Sequence, residues 1–152
     1  MTHWLNEQQQ ADWRAWLAAS MLLRDQLNRD LTEQHGLTSA DYEILVALSE
    51  HPERRLRMSE LAASTLVSRS RLSHQIDRME KAGLVTRQEC TDDRRGFFAA
   101  LTDRGYEAIV KAAPDHVESV RAYLVDRLGP TEFHRLGDIC RTIIAGFQEE
   151  SP

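Results

Sequence analysis

Long apolar runs, glycine, proline and cysteine are all scarce in this sequence, and each shortage removes a class of protein. No apolar stretch approaches the roughly 20 residues needed to cross a bilayer, so no membrane partner is expected. Seven glycines and four prolines in 152 residues are too few for a low-complexity chain. The two cysteines, Cys90 and Cys140, are far apart and lack CxxC spacing, and the opening MTHWLNEQQQ carries no signal-peptide pattern. A reducing, cytoplasmic setting is therefore expected. The six histidines (3, 35, 51, 74, 116 and 134) form no i, i+4 pair and neighbour no ligand-spaced cluster, so no metal is expected. With no phosphate loop, nucleophile elbow or GxGxxG run, there is no ground for an enzyme, a catalytic residue or a cofactor.

What is present is an ordinary globular composition, 41% hydrophobic and 28% charged, with a length that fits one domain over residues 1–152. Net charge is −5, which taken alone argues against nucleic acid, but the distribution is uneven. From Arg54 to Arg104 there are 11 basic residues against 7 acidic ones, so a basic segment sits in an acidic frame. Such a segment can bind phosphates locally while the frame keeps the protein soluble.

The first 36 residues predict a helix over about Ala11 to His35, stopped near Gly36. Its apolar residues, among them Trp13, Trp16, Met21 and Leu22, cover more than one face, which predicts burial on two sides. Thr38 with Asp41 three residues later reads as an N-cap for a second helix over 39–50. An extended piece around Leu56 can join a small sheet. Ser59 is the expected N-cap of a third helix carrying Leu61, Ala62 and, as a further core candidate, Leu66.

Ser68 is expected to cap a fourth helix, in which Leu72, Ile76 and Met79 recur at helical spacing and so face the core. The opposite side then presents Ser70, His74, Asp77 and Lys81, flanked by Arg71 and Arg78 on one edge and Ser73 on the other. Gly83 and Leu84 supply a Schellman stop. Two helices joined by a tight turn, the second polar outward, form a helix-turn-helix. A solvated helical hairpin is the plainer alternative, and the next residues decide against it. Leu84–Cys90 and Gly96–Leu101 read as strands around a polar turn, a wing whose tip carries Arg94 and Arg95. Paired arginines there suit phosphates or a narrow minor groove.

Thr102 begins a further helix whose apolar spacing runs through Pro114, where a kink is expected. Gly129 and Pro130 stop and restart the chain before a last helix with Phe133, Leu136, Ile139, Cys140, Ile143, Ile144 and Phe147 on one face. Surplus apolar surface in both terminal regions predicts that they pair with a second copy. The fold class is thus mainly α with a small β-hairpin wing: a winged helix-turn-helix over about 38–102, with N- and C-terminal helices (about 1–36 and 103–152) forming a dimerisation region.

The run SELAASTLVSRSRLSHQIDRMEKAGLVTR, the wing DDRRG, the following LTDRG and the second-helix LTSADYEILVAL resemble the MarR family of bacterial transcription regulators. The Asp-x-Arg element at Asp93 and Arg95 carries much of the likeness. The resemblance implies a cytoplasmic homodimer that binds a pseudopalindromic operator in double-stranded DNA and represses transcription. By position it assigns Ser68, Arg69, Ser70, Arg71, Ser73, His74 and Arg78 to the recognition helix, and Asp93, Arg94 and Arg95 to the wing. It also implies release by a small aromatic or phenolic ligand, with Trp16, Tyr42 and His116 as pocket candidates beside their plainer role in packing. Two other readings stay open: a winged-helix module binding an acidic protein, and a redox-responsive regulator acting through Cys90. Cys140 reads as a structural thiol, and the reactive cysteine expected near the first helix of peroxide-sensing members is missing.

Overall fold

The computed structural model describes residues 1–92 and 96–149. Nine regular elements and a π-helical turn follow in chain order: α1 (Glu7–His35), α2 (Ser39–Glu50), β1 (Arg55–Arg57), α3 (Met58–Thr65), α4 (Arg69–Lys81), β2 (Val85–Glu89), β3 (Phe97–Leu101), α5 (Asp103–Val120), the π turn (Arg121–Val125) and α6 (Asp126–Glu149). They build two compact units, one from Gln26 to His116 and one from the two ends of the chain.

The central unit is held together by caps whose chemistry is local. Thr38 Oγ1 accepts from the Asp41 amide at 3.1 Å while Asp41 Oδ2 accepts from the Thr38 amide at 2.9 Å, a reciprocal capping box at the start of α2. Gly83 sits at φ +77, and the Gly83 and Leu84 amides donate to Glu80 and Met79 carbonyls, completing the expected Schellman stop. Thr102 Oγ1 accepts from the Gly105 amide and donates toward the Gly83 and Leu84 carbonyls, tying the start of α5 to the end of α4. A Cβ on Gly105 would lie 2.1 Å from the Leu84 carbonyl oxygen, so only glycine lets these segments approach.

Leu45, Leu48, Leu61, Leu72, Ile76, Met79, Val85 and Ala99 form the centre of the core, all with almost no exposure. Beside it, the three strands form an antiparallel sheet in the order β1-β3-β2, with Leu56 opposite Ala99 and Thr86 opposite Ala100. The extended piece around Leu56 therefore joins the sheet as expected.

Three expectations change. The first helix starts earlier, at Glu7, because Asn6 and Gln9 exchange side-chain to backbone hydrogen bonds of 2.8 and 3.0 Å and nucleate it. The third helix starts at Met58 rather than after Ser59; Glu60 reaches back to accept from the Arg57 amide at 3.0 Å, which makes Arg57 the cap position. Leu66 lies outside the core, 87% exposed in a left-handed conformation that ends α3.

The terminal unit comprises the first part of α1 and the chain from Val117 onward. Helix α5 passes through Pro114 without ending, and a π turn follows it, where the Asp126 amide reaches the Arg121 carbonyl. Gly129, at φ +74 and ψ 168, is non-helical and interrupts α6, the stop and restart that Gly-Pro predicted. No helix among the described residues is long and apolar enough to cross a membrane.

Candidate nucleic-acid interface

Helix α4 is built to expose a polar face while being fixed from behind. Ser68 Oγ accepts from the Arg71 amide at 3.3 Å and starts the helix, satisfying one otherwise orphaned donor. Leu72, Ile76 and Met79 are at most 1% exposed, and burying side chains of this size contributes roughly 2 kcal/mol each. The outer face then follows from helix geometry: Ser70, Arg71 and His74 lie opposite the apolar stripe and are exposed. Arg69, also exposed, lies at the start of the helix on the side of the cleft between α4 and the sheet.

Ser73 and Arg78, also expected on this face, are engaged within the fold. The Arg87 guanidinium of β2 donates to the Ser73 carbonyl at 3.1 Å and to its Oγ at 3.2 Å, and pairs with Asp77. The Arg87 amide donates to Glu80 at 2.8 Å. One arginine thus clamps the wing strand along about two turns of α4, from Ser73 to Glu80. On the other edge, Arg78 donates to Asp41 Oδ1 at 3.0 Å, and Gln75 donates to the same oxygen. Asp41 is only 7% exposed, so the capping residue of α2 also ties down α4. Arg78 keeps a 59% exposed side chain, leaving donors for a phosphate.

Between α4 and the sheet lies a cleft of about 550 Å³ lined by Arg57, Ser59, Arg69, Ser73, Arg87 and Phe97. Arg55 and Arg57 stack over Phe98, their guanidinium carbons 4.7 and 5.5 Å from the ring centroid. In the sequence these arginines stand out only as charge. Their placement follows from Leu56 turning inward on β1, an alternation in Arg-Leu-Arg that had been readable. Asp93, Arg94 and Arg95 at the wing tip lie outside the described residues; the hairpin leading to them is in register from Val85–Leu101 to Glu89–Phe97.

Of the pocket candidates, Tyr42 and His116 come together, with ring centroids 4.3 Å apart and planes tilted by 41°. His116 Nδ1 is buried without a hydrogen-bond partner, and burial holds this imidazole below its ordinary pKa of 6.5. Burial, followed by the Glu50 charge, pushes the Tyr42 hydroxyl above its ordinary value. His35 and Asp115 form a separate contact at 2.9 Å. Trp16 belongs to the terminal unit, where it stacks on Trp13 at 5.6 Å. Cys90 is buried, its amide bonded to the Gly96 carbonyl at 3.1 Å, a setting that lacks the exposure a redox-active thiol needs. Cys140 is half-buried. Among the described residues no group of three His, Cys, Asp or Glu side chains is disposed to hold a metal.

Residues 35–96 match the model of the MarR family. The chain is 48% identical to AbsC, a MarR family transcriptional regulator from Streptomyces coelicolor, with a TM-score of 0.92 over 98% of this chain and 100% of that one. It is 45% identical to Sco3205, a MarR family regulator of the same organism solved in complex with DNA, with a TM-score of 0.94 over 97% of this chain and 92% of that one. A more distant relative is the transcriptional regulator PecS of Dickeya dadantii, 28% identical over 80% of this chain and 76% of its own length.

Proposed function

The chain belongs to the MarR family of transcription regulators, and from that premise we propose that it is a homodimeric repressor that reads a pseudopalindromic operator in double-stranded DNA. The observation that carries this reading is α4: its apolar stripe is wholly buried, its opposite face offers Ser70, Arg71 and His74 to the exterior, and Arg69 is exposed at its start. Arginine and serine at the start of such a helix read base edges in the major groove, while Arg78 and the wing residues Arg94 and Arg95 serve the backbone and the adjoining minor groove.

Homodimerisation is supported by apolar surface in the terminal unit. Trp13, Trp16, Met21 and Leu22 on α1, and Ile139, Ile143, Ile144 and Phe147 on α6, are each about half or more exposed in the single chain. A monomer seldom leaves so many large side chains in water. Regulation by a small phenolic ligand is supported by the Tyr42–His116 pair, since the unpartnered Nδ1 suits a hydroxyl donor. Such a ligand acts only through its difference in affinity for the DNA-binding and released forms.

Titrating wild type and Arg71→Ala against operator and random duplex at matched salt tests the reading. Arg71→Ala is expected to cost about 1 to 3 kcal/mol on operator and much less on random DNA. An equal loss on both duplexes would contradict base reading by this residue.

A further inference from the structure

Among the described residues, two that are not glycine, Arg54 and Leu66, adopt the left-handed backbone conformation, at φ +52 and +55. L side chains enter this region at a cost, so something must hold each residue there. At Arg54 the reason is internal. Its carbonyl accepts from the Leu101 amide at 2.8 Å, and its guanidinium lies 3.7 Å from the centroid of the Tyr106 ring.

Leu66 differs. Its backbone ends α3, with its own amide donating to the Ala62 carbonyl and the Val67 amide reaching the same oxygen at 3.3 Å. Glycine or asparagine would close that turn without the conformational penalty. The isobutyl group is 87% exposed, so it adds almost nothing to the core. The residue is therefore costly in backbone conformation and of little use in packing. Its location is specific: it sits two residues before Ser68, the cap of α4, beside exposed Arg69, Ser70 and Arg71.

We propose that Leu66 is a specificity-determining residue that packs its side chain against the 5-methyl group of a thymine at the edge of the half-site read by α4. The inference rests on the DNA-binding reading above. Among base edges in the major groove only thymine offers an apolar group, which is what an exposed aliphatic side chain beside a row of polar donors can recognise. The contact carries no charge, releases no counterion and leaves the salt dependence of binding untouched.

The test pairs protein and DNA changes. Full-length wild type, Leu66→Gly and Leu66→Asn are titrated against a selected operator and against copies in which single thymines are replaced by deoxyuridine, which removes only the methyl. Both variants are expected to melt no lower than wild type, to bind the operator roughly tenfold more weakly and to keep the wild-type salt slope. One deoxyuridine position should weaken wild type by a similar factor and leave both variants unaffected. Retained affinity, a lowered melting temperature, a changed salt slope, or wild-type indifference to every deoxyuridine would each overturn the assignment. Failure of wild type to prefer any duplex would instead overturn the DNA-binding reading beneath it.

Discussion

Helices α4 and α6 carry the same kind of pattern, an apolar stripe at helical spacing on an otherwise polar helix, and they meet opposite fates. On α4, Leu72, Ile76 and Met79 are sealed beneath α2, α3 and the sheet. On α6, Ile139, Ile143, Ile144 and Phe147 remain 48–71% exposed. Periodicity records that a face is to be buried and says nothing of what covers it. For α4 the cover comes from the same chain; for α6 the proposed cover is a second copy.

The sharpest way to break this comparison is to charge the α6 face. Ile143→Glu combined with Ile144→Glu is expected to give a folded monomer in sedimentation and to lower operator affinity by more than about 100-fold, because two linked half-sites become two independent ones. A dimer that persists would mean the α6 face is not the contact. The matching change in α4, Ile76→Ala, should destabilise the protein by about 2 to 5 kcal/mol in urea unfolding, through a lost side chain and the cavity left behind, without altering dimer dissociation. If instead it mainly weakened the dimer, the two stripes would not be separate devices.

A smaller effect tests how the reading helix is held. Asp41→Ala removes the carboxylate half of the α2 capping box and the acceptor for Gln75 and Arg78, leaving the Thr38 cap in place, and should cost about 1 to 2 kcal/mol, mostly from the Thr38 amide and Gln75 bonds, since Arg78 is largely solvated. Thermal melts of Asp41→Ala and Arg78→Ala separate the contributions, the second being expected near neutral. The smallest effect concerns pH. Burial lowers the His116 pKa in the folded state, so the unfolded chain binds this proton more readily. The stability associated with neutral His116 is complete above its ordinary value of 6.5 and is lost as pH falls from there through the depressed value. His116→Phe should flatten that acid limb of the stability curve, and an unchanged limb would place its origin elsewhere.

Features governed by neighbours in sequence were legible from the start. Thr38 with Asp41, Ser68, Gly83 with Leu84, and Thr102 all cap or stop helices as their local chemistry dictates. The core side of α4 followed from spacing alone. What escaped reading depends on residues distant in sequence. Arg87 looked like one charge among many on a strand, and only the fold brings it across to Ser73 and Asp77. Nothing near Gly105 in sequence marks it out, and only the fold sets the Leu84 carbonyl against it. Asp41 was readable as the acid behind the Thr38 cap, whereas its grip on Gln75 and Arg78 spans more than thirty residues. Ser59 was misread because a good capping side chain was favoured over the Glu60 carboxylate that reaches back to Arg57. Leu66 was counted toward the core because its hydrophobicity outweighed the left-handed turn it occupies.

The central claim is that the polar face of α4 reads sequence and that a dimer presents it twice. Selection of genomic fragments by the purified protein, followed by footprinting, tests both parts at once. The account predicts enrichment of a pseudopalindrome whose half-sites lie about one helical turn apart. Recovery of fragments with no common sequence, or of a single unpaired half-site, would contradict it.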